Sequence, residues 1–240
     1  MPHLCLCQAS DIKILKEIIQ ILKPCLKVTE EMSSEKYVSG SKAIPMIKCL
    51  REYLETITPT NYLTVQLKNT LLNKIKKRFD NIQKVHLFSM ATVLDPRFKK
   101  IHLDDGTALA RIITSIKIYL NENSDLGAVP VLSQASDEGD PEDIWQAHRQ
   151  KLMTESSCRS EGAGTSELDV YIAAPLTDLK SDPLAIWKSY EGAYPKQTKL
   201  ACKHLLVSAS SAPAERLFSK AGNIVRKTRN LNFLSTKSHP

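Results

Sequence analysis

Glycine is scarce in this sequence, with 8 among 240 residues. A β-sandwich or barrel turns at short intervals and leans on glycine at its turns, so the scarcity argues for helices. No apolar run reaches the ~18 residues that a membrane-crossing helix needs, and no span is expected. Met1 to Cys7 is too short for the apolar part of a signal peptide and lacks a basic start. The six cysteines (Cys5, Cys7, Cys25, Cys49, Cys158 and Cys202) include no C-x-x-C pair and no following H-x3–5-H. That argues against the common zinc spacings and leaves reduced thiols rather than a disulfide framework. His3 with Cys5 and Cys7 is a faint metal signal, outweighed by their reading as small hydrophobes near an apolar N-terminus. No metal site and no cofactor are expected. The chain is expected to be soluble and cytosolic or nuclear.

Apolar residues are plentiful, at 42% of the chain, enough for a buried core. The net charge of +7 is unevenly spread. Residues 121–167 hold ten acids against three bases (Arg149, Lys151, Arg159), a balance of −7, which leaves +14 on the rest. A basic body is drawn to phosphate backbones. A solvated lysine-rich helical surface is the first reading of that charge, and a weak contact with DNA the second.

Along the chain, Ser10-Asp11 starts a helix with Ile12, Leu15, Ile18, Ile19 and Leu22 on one face. Pro24 is expected to kink or break it, and Leu26, Val28 and Met32 carry the pattern on. After a polar loop from Ser33 to Ser41, Ile44 through Ile57 reads as a second helix. A third runs from about Tyr62 to Phe79 with Leu63, Leu67, Leu71, Leu72 and Ile75 inward and Lys68, Lys74, Lys76, Lys77 and Arg78 outward. Val85 to Leu94 is compatible with helix. Asp95-Pro96-Arg97-Phe98 forms a turn, because proline disfavours helix in the residue before it. Thr107 to Leu120 is another amphipathic helix. Residues 121–167 read as an acidic flexible linker, with Ile144, Trp145 and Leu152 in one short helix at most. Order returns at Leu168, with Asp169-Val170-Tyr171-Ile172 and Leu205-Leu206-Val207 as candidate short strands. Helices begin near Asp182-Pro183 and Tyr194-Pro195, and a last one opens at Pro213. Trp145 and Trp187 read as core or linker anchors rather than base-stacking platforms.

The segment Asp169-Val170-Tyr171, Asp182-Pro183-Leu184, Trp187-Lys188, Tyr194-Pro195-Lys196, Leu200-Ala201 and above all Ser210-Ser211-Ala212-Pro213-Ala214-Glu215-Arg216-Leu217-Phe218-Ser219 resembles the C-terminal region of hAT transposases. Ala221-Gly222-Asn223-Ile224 and Arg229-Asn230 continue it. Upstream, Leu22-Lys23-Pro24, Ser34-Glu35-Lys36-Tyr37 and Ala91-Thr92-Val93-Leu94-Asp95-Pro96-Arg97-Phe98-Lys99 are similar to the helical part of domesticated zinc-finger BED-domain proteins of that superfamily.

The resemblance implies a split RNase H-like domain interrupted by a helical insertion, with two aspartates before the insertion and a glutamate after it holding two divalent metal ions for phosphoryl transfer on DNA. Clustered carboxylates suit that task because Mg²⁺ takes oxygen ligands and bridges attacking and leaving oxygens. Glu215 matches the family glutamate. Read alone, it is a carboxylate favoured by the dipole of a helix start. With the resemblance it is a vestigial catalytic position, since the chain begins inside the insertion and lacks the two aspartates. Ala214 stands where the family usually has serine, and the residues after Leu231 diverge from it. The BED finger is not in the sequence. Arg226, Lys227 and Arg229 read first as solvated helix-end cations.

The expected fold is mainly α with a few short strands: a helical bundle plus a partial RNase H-like α/β remnant. The divisions are a helical region 1–120, the linker 121–167, a dimerisation region 168–232 and a divergent tail 233–240. The expected function is protein association in the nucleus, with itself or with related hAT or BED-type proteins, without catalysis and without a small-molecule substrate. The dimerisation surface is assigned to Leu217, Phe218, Ala221, Ile224 and Val225. A metal-dependent DNA transposase fragment or a DNA-binding protein is the alternative.

Overall fold

The computed structural model describes residues 8–34, 38–122, 145, 148, 150–151, 167–212 and 214–220. Its helices are α1 (Ala9–Met32), α2 (Ala43–Thr56), α3 (Tyr62–Phe79), α4 (His86–Val93), α5 (Gly106–Glu122), α6 (Glu167–Ala173), α7 (Pro183–Tyr190) and α8 (Pro195–Leu205), and residues 214–220 are helical too. Short 3-10 turns cover Gly40–Lys42 and Ile82–Lys84.

The helix starts follow from local chemistry. The Asp11 carboxylate accepts from the Gln8 backbone N–H at 3.0 Å. Asn61 and Asp182 each accept, through the side chain, from the N–H two residues on, and Asp105 does the same for Thr107 and Ala108. Pro183 and Pro195 sit in first turns, where a missing N–H costs nothing.

Two apolar cores result. One lies among α1, α2 and α3, with Ile21, Val28, Met46, Leu50, Leu54, Phe98 and Trp145 buried in it. The other joins α4 and α5 to α6, α7 and α8 through Met90, Leu94, Ile112, Ile116, Tyr171 and Trp187. Helix α4 contacts α2 as well as α5 and α8 and so links the two.

Several expectations are corrected. Among the described residues there is no strand. Asp169–Ile172 lies inside α6, because Leu168 and Tyr171 are buried three residues apart on one helical face. Burial of that face overrides the strand preference of Val170, Tyr171 and Ile172. Leu205 ends α8, and beyond it the Val207 carbonyl accepts a single bond from the Gly40 N–H at 3.0 Å rather than joining a ladder. A Cβ at Gly40 would meet that carbonyl oxygen at 2.4 Å, so the approach requires glycine.

Of the kink or break expected at Pro24, the break does not occur: α1 runs through it, with Pro24 buried between Ile21 and Val28. The face with Ile12, Leu15, Ile19 and Leu22 is not the core face of α1, since all four are exposed. Leu63, expected inward, is exposed at the first turn of α3.

Candidate association surface

The turn after α4 seats the C-terminal segment. Asp95 is fully buried and forms an ion pair with Arg97 two residues on. Arg97 Nε donates to Asp95 Oδ1 at 2.9 Å and Nη2 to Oδ2 at 2.6 Å, and the Ser41 hydroxyl donates to Oδ2 at 2.6 Å. The same guanidinium reaches the carbonyls of Leu179 and Ser181, both at 3.4 Å. The two charges are thereby paired and hydrogen-bonded, as burial demands.

Lys99 continues the clamp. Its φ of 46° lies in the left-handed region, a strained conformation for a lysine. Its buried ammonium donates to the carbonyls of Tyr171, Ala174 and Pro175, where the C-terminal end of α6 presents unsatisfied oxygens. The Trp187 indole N–H donates to the Leu94 carbonyl at 2.7 Å and the Tyr171 hydroxyl to the Val93 carbonyl at 3.1 Å. Read as sequence, Asp95-Pro96-Arg97-Phe98 is a turn within a stretch that carries the family resemblance, with no role as a seat for the C-terminal segment. The signal that could have marked it is three charges alternating with Pro96 and Phe98 directly after an apolar helix.

Beyond α8 the chain turns back to the end of α1. The Ser210 hydroxyl donates to the Met32 carbonyl at 3.2 Å, and Arg216 Nη1 donates to the Ser33 carbonyl at 3.0 Å. Leu217 and Phe218 are 66% and 74% exposed on helical residues 214–220. Ala221, Ile224 and Val225, also assigned to the surface, lie outside the described residues, as do His3, Cys5 and Cys7. Leu217 and Phe218 thus point two large apolar side chains outward beside the C-terminal end of α1.

Glu215 is exposed on the same stretch, and its carboxylate accepts from the Ser211 hydroxyl at 2.6 Å. Among the described residues no group of three His, Cys, Asp or Glu side chains comes together that could hold a metal ion. The described donor set around Glu215 therefore does not fit the two-metal arrangement that the resemblance implies. Cys25, Cys49 and Cys202 are free thiols, and burial pushes Cys49 up to about 12. Trp145 and Trp187 are both buried in cores. No described helix is long and apolar enough to cross a membrane.

Residues 167–234 match the family model of the hAT family C-terminal dimerisation region. The chain is also similar to two proteins of Zea mays. One is a putative AC transposase, 21% identical over 248 aligned positions that cover 93% of this chain and 29% of that protein. The other is a putative AC9 transposase, 23% identical over 244 positions that cover 80% of this chain and 28% of that protein. The chain thus spans less than a third of the length of the curated relatives it matches. The dimerisation region takes in α6, α7, α8 and helical residues 214–220, and its seat is the buried turn at Asp95, Arg97 and Lys99.

Proposed function

We propose that this chain is a self-association module derived from a hAT-type transposase, acting in the nucleus with itself or with related hAT or BED-type proteins. The observation that carries the reading is the exposure of Leu217 and Phe218 on a region matched to dimerisation. Large apolar side chains held outward on a firmly seated element are the composition of an interface core. The chain does no DNA strand transfer by itself on this reading, which is supported by Glu215 joining no group of three metal-ligating side chains among the described residues. An RNase H-like ancestry accounts for the family glutamate at this position without requiring its chemistry here.

Light scattering over a range of concentrations tests the association. The expected mass rises from the 26.8 kDa of one chain towards twice that value, and Phe218→Asp shifts the balance back to single chains. A single-chain mass at every concentration would overturn the reading.

A second reading, backbone contact with DNA, is favoured by the exposed cations Lys74, Lys76, Lys77 and Arg78 on α3. It requires affinity for duplex DNA that falls steeply with salt.

A further inference from the structure

Helix α1 carries two apolar stripes. The inner one, Ile21, Pro24 and Val28, is buried. The outer one is Ile12, Leu15, Ile19, Leu22 and Leu26, with exposures of 42–60%. Its spacing of three, four, three and four residues is a heptad seam that runs for ~21 Å along the helix. At 3.6 residues per turn the two stripes lie about 165° apart, so the outer seam faces away from the helices that bury the inner one. Pro24 belongs to the inner stripe and leaves the seam uninterrupted.

We infer that this seam pairs, parallel and in register, with the same seam of a second copy of the chain. The inference rests on the self-association reading and extends the interface beyond the dimerisation region. Three observations select this occupant. Ile12 and Ile19 fall at a positions and Leu15 and Leu22 at d positions, the β-branched and γ-branched alternation that favours two parallel strands. Asp11 at g faces Lys16 at the next e of a parallel partner, an attractive pair that fixes register. The helix that carries the seam also ends beside the dimerisation region: Arg216 and Ser210 hydrogen-bond to the carbonyls of Ser33 and Met32 at the C-terminal end of α1. The dimerisation region is thus fixed to the helix that carries the seam, about 10 Å beyond Leu26, close enough for both to belong to one interface between two copies. At the next d position stands Thr29, whose hydroxyl donates to the Cys25 carbonyl at 2.9 Å, and the apolar seam stops there.

The test uses the full chain. Sedimentation equilibrium compares wild type with Leu15→Glu/Leu22→Glu, two exposed positions where charge leaves the fold of one copy intact by circular dichroism. Dimer affinity is expected to fall by ~100-fold or more, as for loss of central interface anchors. Independently, Ile12→Cys is expected to form a disulfide-linked dimer under mild oxidation, above the wild-type background, because residue 12, at the end of the seam, meets its own copy in a parallel, in-register pair and lies about 20 Å from it in an antiparallel one. A double variant that dimerises as tightly as wild type overturns the seam and leaves the self-association reading standing. A dimer in which Ile12→Cys forms no crosslink overturns the parallel pairing. Wild type that is monomeric throughout overturns both.

Discussion

His102 and His148 face each other in the interior, Nε2 to Nδ1 at 2.7 Å, with their rings stacked 5.0 Å apart. Such a contact needs one nitrogen to donate and the other to accept, and a proton added to the accepting side would set two donors against each other. Burial first, then His148, Lys151 and Lys48, bring His102 from its ordinary 6.5 down to about 2. His204 is also lowered, again chiefly by burial. The unfolded chain therefore binds more protons than the folded one below pH 6.5. Stability is full above that pH and is lost as the pH falls from 6.5 towards 2, at a slope of about 1.4 kcal/mol per unit for one such group. Glu17, held down to about 2 by the hydroxyls of Thr60 and Thr64, adds to the loss only below its ordinary 4.5. The window from 6.5 to 4.5 thus belongs to the histidines. The thermal midpoint should fall between pH 7.5 and 5, with a shallower slope in His102→Gln. Equal slopes in the two proteins would remove His102 from this role.

At the scale of the element, the turn between α4 and α5 decides how the chain folds back on itself. Asp95 is the group that Ser41, Arg97 and the backbone N–H of Arg97 all address. Asp95→Ala leaves a buried guanidinium without its counter-charge, which costs about 3–5 kcal/mol. Chemical denaturation should show that loss, and a change below about 1 kcal/mol would mean the pair contributes little. The turn itself was legible in sequence, because proline stops helix in the residue before it, and so were the helices to within a residue or two at most ends. What was not legible is which face of each helix is buried. The regular 3-4 pattern of Ile12, Leu15, Ile19 and Leu22 is a stronger signal than that of Ile21, Pro24 and Val28, yet the weaker stripe meets α2 and α3. A periodicity announces an apolar face but not whether its partner lies within the same chain. Likewise Val170, Tyr171 and Ile172 favour strand locally, and only the packing of Leu168 and Tyr171 against α4 and α7 residues makes them helical. Of the surface assigned from the apolar side of the last helix, Leu217 and Phe218 are exposed, which their apolar character alone does not announce.

At the scale of the whole molecule, the dimerisation region is not a separable unit. Its core is shared: Tyr171, Trp187, Leu200 and Leu205 are buried against Met90, Val93, Leu94, Ile112 and Ile116, which precede residue 122. The indole of Trp187 and the hydroxyl of Tyr171 find their acceptors on Leu94 and Val93, and the last carbonyls of α6 find their donor on Lys99. A fragment of residues 167–240 would expose this apolar surface. It would also leave each of those polar groups to water, where the three short helices, of 7, 8 and 11 residues, are marginal. Such a fragment is expected to show no cooperative thermal transition and poorly dispersed amide resonances, while the full chain melts cooperatively. Association by the region alone would then reflect exposed core rather than the outward face of Leu217 and Phe218. A fragment that melts cooperatively and dimerises as tightly as the full chain would show that the Asp95 turn is a neighbour of the region and not its support.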